Sequence, residues 1–189
     1  MNAANAAAGA TMAAAPLTAP DGLVETYRGT VYPWHCDHMG HMNVMWYVGK
    51  FDEATWNLFA LLGLSPAALR AQQRGMVALD QRLAYQRELH AGDAVVVRSA
   101  VLEVGAKTLR FVHRMLDATT GEVSAVTQLV GAHLDTVARR TVALPEDVAA
   151  RAREMQREIA LPWDRAAASG ASAGAAAPAA PVAKVMSAS

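Results

Sequence analysis

Cysteine is nearly missing from this chain. Cys36 is the one cysteine in 189 residues, so no intrachain disulfide can form, and a reducing compartment is the simpler expectation. An excess of charge of either sign is missing too. Lys and Arg number 17 against 17 Asp and Glu and no basic run occurs, which removes the electrostatic footprint that nucleic-acid or anionic-membrane binding relies on. Nor is there a run of about 18 apolar residues, the length that a membrane-spanning helix requires. The opening stretch to Asp21 has no basic segment, and Asn, Gly, Thr and Pro break up its alanines, so it lacks the pattern of a secretory leader. Together these absences lead to the expectation of a cytoplasmic protein with neither nucleic-acid nor membrane partners.

Large apolar side chains are scarce at both ends. Residues 1–22 and 165–189 are rich in Ala with Ser, Gly and Pro, and such segments bury too little surface to offset the entropy of ordering them. Both are expected to be disordered tails around one domain, residues 23–164. A chain of this length can bury a real core without staples. The apolar fraction of 53% is inflated by tail alanines and says little about that core.

Between the tails the pattern changes several times. Leu23 to Trp34 carries Val24, Tyr27, Val31 and Tyr32, a mix that favours a strand, interrupted at Pro33. From Asn43, a reasonable N-cap, Tyr47, Phe51, Ala54, Leu58, Leu61 and Leu62 recur at helical spacing until Gly63. Trp56 and Phe59 lie off that stripe, so this helix is expected to bury more than one face. Ser65-Pro66 opens a short helix through Gln73, closed at Gly75. Met76 to Leu89, Asp93 to Val104, Lys107 to Asp117, Glu122 to Asp135 and Arg140 to Leu144 then read as five strands with glycine-bearing turns between them. In the third of these, Leu109, Phe111, His113 and Met115 share one face, as in an antiparallel sheet covered on one side. Pro145 starts a last helix with Val148, Ala152, Met155 and Ile159 as its stripe. Strand, long helix, then five strands is an α+β order, with one helix on one curved sheet.

The densest stretch runs from Tyr32 to Glu53. His35, Cys36, Asp37, His38 and His41 lie within it, beside Gly40 and just ahead of the long helix. A zinc site would need about four converging ligands, and no distant CxxC or HxxxH completes the set; no metal is expected. His90, His113 and His133 are isolated on apparent strands, where core or surface positions suit them better than ligation. Cys36 as a nucleophile would need an activated thiolate, and adjacency to Asp37 works against one.

Asp37-His38-Met39-Gly40-His41-Met42-Asn43, followed by Tyr47 and by Phe51-Asp52-Glu53-Ala54, resembles the signature of hotdog-fold acyl-CoA thioesterases of the 4-hydroxybenzoyl-CoA thioesterase type. Tyr85, Leu89, the Gly92-Asp93 turn, Leu134-Asp135-Thr136 and Leu144-Pro145 are similar to that family as well, so the likeness covers about residues 24 to 160. It implies a hotdog fold: a strongly curved antiparallel sheet wrapped around one central helix, paired into a homodimer or a dimer of dimers, with acyl-CoA sites at the dimer interface. Coenzyme A enters as part of the substrate, and no separate cofactor is implied.

Thioester hydrolysis needs a base or nucleophile near the carbonyl carbon and donors aimed at the oxygen where negative charge develops. By position, Asp37 matches the family's catalytic carboxylate, which attacks the carbonyl or activates water. The free N–H groups at the start of the helix suit an oxyanion, and the N–H of Val44 occupies the matching place. Gly40 lets the backbone pass close to the acyl group. His41 and Asn43 orient the loop or the thioester, Trp46 and Tyr47 line an acyl pocket together with Met42, Met45 and Trp56, and Glu53 stands where some hotdog thioesterases use a helix carboxylate. Plainer roles exist for each: Asp37 as a turn cap, Gly40 as turn chemistry, His41 as a structural histidine, Asn43 as a helix cap, Glu53 as a solvated acid, and the aromatic and Met side chains as core. Two other functions fit the same residues less well. A hotdog hydratase pairs an Asp with a His about five residues on, but its D-x-N-P-x-H pattern is absent; a non-catalytic acyl-CoA-binding module would use the pocket alone.

Overall fold

The computed structural model describes residues 18–164. Contacts divide the chain into two units, Met1–Ile159 and Ala160–Ser189, and every element below belongs to the first. In the second, the Leu161 N–H donates to Asp164 Oδ2 at 2.9 Å. The expected tails lie outside the described residues except at 18–22, which fold as a turn onto the first strand: the Ala19 N–H donates to the Leu23 carbonyl at 2.8 Å, and the Gly22 N–H to the Ala19 carbonyl at 2.9 Å. No helix among the described residues is long and apolar enough to cross a membrane.

The order is β1 (Val24–Thr30), a 3₁₀ turn (Pro33–His35), α1 (Val44–Leu61), α2 (Pro66–Ala71), β2 (Arg74–Tyr85), β3 (Ala94–Val104), β4 (Thr108–Asp117), β5 (Val123–Asp135), β6 (Arg140–Thr141) and α3 (Glu146–Glu154). All pairings are antiparallel, and the sheet runs β1-β3-β4-β5-β2 with β6 added to β5. This is the expected α+β hotdog arrangement, one curved sheet and one long helix. Register shifts in β1, β2, β3 and β5 supply bulges, which bend and twist a sheet that must curve around a helix.

Several boundaries move from those the sequence suggests. Pro33 ends the first strand early, because it starts the 3₁₀ turn; β2 stops at Tyr85, where the Gln86 and Arg87 N–H groups turn to the Ser124 carbonyl. The fifth run of the second half keeps only two strand residues: the Val142 N–H still reaches the β5 carbonyl of His133, but the Leu144 N–H turns to the Ala106 carbonyl. α3 ends at Glu154, so Ile159 is not on its stripe.

α1 buries one broad face along its length; of the two off-stripe aromatics, Phe59 joins that face and Trp56 stays 37% exposed. Tyr47, Phe51 and Ala54 join a cluster with Met42, Leu89 and Met115, while Leu58, Phe59 and Leu62 join another with Phe111, Leu144 and Val148. Truncating a fully buried ring such as Phe51 to Ala would cost about 3–5 kcal/mol. Leu61, expected in the stripe, is partly exposed instead. Gly63 closes the helix in the left-handed region, with φ of +92°, and the Leu64 N–H returns to the Phe59 carbonyl at 2.8 Å.

Candidate functional site

The loop ahead of α1 is held from both sides. Cys36 and Met42 form an antiparallel bridge; the Asp37 N–H donates to the His41 carbonyl at 3.2 Å, and the Gly40 N–H to the Asp37 carbonyl at 3.0 Å. Gly40 sits at φ of +86°, a conformation that a side chain would resist. The base of the loop is fixed by Met42 and Asn43, whose N–H groups donate to the carbonyls of Leu89 and His35 at 2.7 and 2.9 Å. His35 is buried beneath it, accepts the Tyr32 N–H at Nδ1 at 3.1 Å and packs its ring 4.2 Å from Trp46. Burial, then the nearby Lys50, lowers its pKa.

The Asp37 carboxylate is the focus of this loop. Its Oδ1 accepts the Met39 N–H at 2.9 Å and its Oδ2 accepts the Asn43 side-chain amide at 3.0 Å. These two donors, the Met39 amide foremost, hold its pKa below the ordinary carboxylate range, with His41 and His38 adding smaller pulls; hydrogen bonds to the charged form favour it. Asn43 uses its other end as the N-cap of α1, taking the Met45 N–H at 3.0 Å. One side chain therefore couples the acid to the helix start. The Val44 N–H, first in the helix, has no acceptor among the described residues, and the Val44 side chain is 57% exposed.

An open cleft of about 300 Å3 adjoins that helix start, with His41, Val44 and Tyr47 on one side and Tyr85, Arg87 and Glu88 on the other. His41 Nε2 lies 3.8 Å from Glu88 Oε1. Tyr47 is buried, donates its hydroxyl to the Arg87 carbonyl at 3.3 Å, and has its pKa pushed up to about 12 by burial, so it stays a neutral phenol.

A second cleft of about 150 Å3 runs along α1 where it faces β2 and β5, with Phe51, Asp52, Thr55, Trp56 and Phe59 as its helical wall. Here the expectations divide. Trp56 lines it as an acyl-pocket residue would; Trp46 lines neither cleft and packs on His35; Met42 is buried and forms part of the wall of the first cleft. Glu53 is exposed and lines neither cleft, whereas its neighbour Asp52 does line this one. The spacing Val48, Asp52, Thr55, Trp56, Phe59 carried that signal, because residues four, seven and eight apart share a helix face. Among the described residues, no group of three or more His, Cys, Asp or Glu could hold a metal ion.

A polar chain inside the core went unpredicted. His113 Nε2 lies 2.9 Å from Thr55 Oγ1 and its Nδ1 2.5 Å from Ser99 Oγ, which in turn lies 2.5 Å from Thr26 Oγ1. Since the Thr55 hydroxyl donates to the Phe51 carbonyl at 2.8 Å, it must accept from an Nε2–H. In a neutral ring, Nδ1 is then an acceptor for the Ser99 hydroxyl. Burial agrees, lowering the pKa of His113 to about 3.

Comparison with known proteins brings the same region forward. A family model described as the thioesterase-like superfamily matches residues 31–152. Among curated proteins, the chain is 32% identical over 109 residues to an L-carnitine dehydrogenase/betainyl-CoA thioesterase of Agrobacterium fabrum, a match that covers 58% of this chain but 22% of that relative. It is 26% identical over 143 residues to the betainyl-CoA thioesterase of Pseudomonas aeruginosa, covering 74% of this chain and 90% of the relative. Among solved structures, a hypothetical protein of Staphylococcus aureus in complex with CoA superposes with a TM-score of 0.68 at 19% identity, over 82% of this chain and 97% of that one.

Proposed function

Because the chain belongs to the thioesterase-like superfamily and is by family a thioester hydrolase, we propose that it hydrolyses an acyl-CoA thioester to the free acid and CoA, with Asp37 as the acting carboxylate. The observation that carries this reading is the Asp37–Asn43 bond at 3.0 Å, which ties an ionised acid to the N-terminus of a long helix. Attack on the thioester carbonyl, directly or through an activated water, needs the ionised carboxylate, and the Met39 and Asn43 donors favour that form. As the carbonyl becomes tetrahedral its oxygen gains charge, for which the unengaged Val44 N–H and the positive end of the helix are suited. Gly40 leaves room for the thioester, since no atom stands within 4 Å of where its side chain would be. His41 lines the cleft beside Val44 and orients the CoA-bearing arm; Tyr47 and the edge of that cleft contact the substrate.

The working unit is a homodimer or a dimer of dimers joined along β2. This twelve-residue strand pairs with β5 on one side and with no described strand on the other, and Ala78 to Arg82 are exposed on both faces. Such an edge invites pairing. The protein is expected to act in the cytoplasm.

Release of free thiol from a panel of short, aromatic and cationic acyl-CoAs tests the reading, with betainyl-CoA included because two relatives carry it in their names. Turnover of at least one member above the buffer rate is the expected result. No release from any member would overturn it.

A further inference from the structure

The cleft along α1 is smaller than the roughly 300–1,000 Å3 of ordinary ligand pockets, so at about 150 Å3 it has room for the end of an acyl group and not for a whole acyl-CoA. Its lining is unusual in charge. Phe51, Trp56, Phe59 and Phe111 give it aromatic walls, and Asp52 is its one ionisable side chain. The other polar groups are already engaged: the Thr55 hydroxyl with the Phe51 carbonyl and His113, and the Gln81 amide with Thr127 Oγ1 at 3.3 Å. Asp52 has no hydrogen bond or ion pair among the described residues, and the nearest basic residue on its helix, Lys50, points elsewhere, to the Tyr27 hydroxyl at 3.0 Å. Aromatic side chains beside one unpaired, solvent-exposed carboxylate in a shared cleft form a site for a soft cation, because aromatic rings and carboxylate attract the same charge.

Resting on the thioesterase reading above, we infer that this cleft selects acyl groups that end in a cation, a quaternary ammonium above all, with Asp52 as the residue that sets the specificity. Trp56, 37% exposed and set edge to face on Phe59 at 5.9 Å, is the aromatic that the incoming group meets. The position of the cleft also constrains the assembly. Asp52 stands nine residues after Asn43, about 13 Å along the axis at 1.5 Å per residue, which a short cationic acyl group cannot span. A short substrate in this cleft is therefore out of reach of the Asp37 of the same protomer, so its hydrolysis calls for the acid of a second copy.

The test compares betainyl-CoA with tert-butylacetyl-CoA, its neutral isostere, in which carbon replaces the quaternary nitrogen. The full-length wild-type protein is expected to favour the cationic thioester in kcat/KM, and Asp52→Asn to reduce that preference by on the order of tenfold or more, the equivalent of about 1.4 kcal/mol. A reading without a variant uses tetramethylammonium chloride, which is expected to inhibit hydrolysis of tert-butylacetyl-CoA competitively, while sodium chloride at equal ionic strength does not. Equal rates on the two isosteres with no tetramethylammonium inhibition overturn the cationic specificity and leave the thioesterase reading standing. A loss in Asp52→Asn that is the same for both substrates also overturns it, since Asp52 would then act on the reaction and not on the charge. Failure to cleave any thioester sinks both.

Discussion

Asn43 Nδ2 donates to Asp37 Oδ2 at 3.0 Å while Asn43 Oδ1 accepts the Met45 N–H at the same distance. A single amide therefore caps a helix with one end and holds an acid ionised with the other, so the stability of α1 and the titration of Asp37 are coupled through one side chain.

That coupling can be separated. Asn43→Ala should destabilise the fold by about 1 kcal/mol, the usual worth of an N-cap, and should raise the acidic limb of the pH profile of kcat/KM, because Asp37 loses one of the donors that lower its pKa. Asn43→Ser should restore the cap and the stability but not the limb, since the shorter hydroxyl does not replace the amide. Urea melts and pH profiles of the three proteins measure both. An acidic limb unmoved in both variants would contradict the coupling.

His113 predicts how stability follows pH. Its pKa is 6.5 ordinarily and about 3 in the fold, so below 6.5 the unfolded chain binds a proton that the folded chain refuses. Its contribution to stability is thus complete above pH 6.5 and is lost as pH falls toward 3, at up to about 1.4 kcal/mol per pH unit. His35, also lowered by burial, acts in the same direction. Asp37 and Asp135, lowered from 3.8, lose their contributions only at more acid pH, so the interval from 6.5 to 4.5 isolates the histidines. His113→Asn should cost about 2 kcal/mol, because the buried Thr55 and Ser99 hydroxyls each lose one of their two bonds, and should flatten the slope there. An unchanged slope would show that His113 is not the group titrating.

How much of this was legible in the sequence depends on how local each feature is. The Asn43 cap, the Gly63 stop and the alternation of Leu109, Phe111, His113 and Met115 are set by neighbours a few residues away, and each is found where expected. The shrinkage of the last strand to Arg140–Thr141 was not legible, because where the chain leaves β5 depends on an acceptor distant in sequence, the Ala106 carbonyl that takes the Leu144 N–H. Nor was the Thr26–Ser99–His113–Thr55 chain, whose members come from three strands and a helix. The difference between Asp52 and Glu53 lay in between: both are exposed, but one helical residue is a rotation of 100°, enough to put Asp52 and not Glu53 on the cleft, and the phase is visible only if the aromatics at 56 and 59 are counted as a face in their own right.

The β2 edge makes a prediction for assembly. Leu79 falls at the register shift between Ala78 and Asp80 and is 59% exposed, an apolar side chain of the kind an unpaired edge keeps only if a partner covers it. Light scattering at micromolar concentration should give a dimer or tetramer, and Leu79→Asp should move it toward monomer with loss of turnover. A stable, active wild-type monomer would contradict the shared site.

The central claim is that Asp37 does the chemistry, and Asp37→Asn tests it most directly, since the change keeps the size and shape of the side chain and removes the charge that a nucleophile or base needs. In thiol-release assays on the best acyl-CoA, turnover should fall by roughly two orders of magnitude or more, the scale of a lost general base, while circular dichroism, melting and the binding of a non-hydrolysable acyl-CoA thioether stay close to wild type. Hydrolysis near the wild-type rate by a folded Asp37→Asn protein would contradict the account.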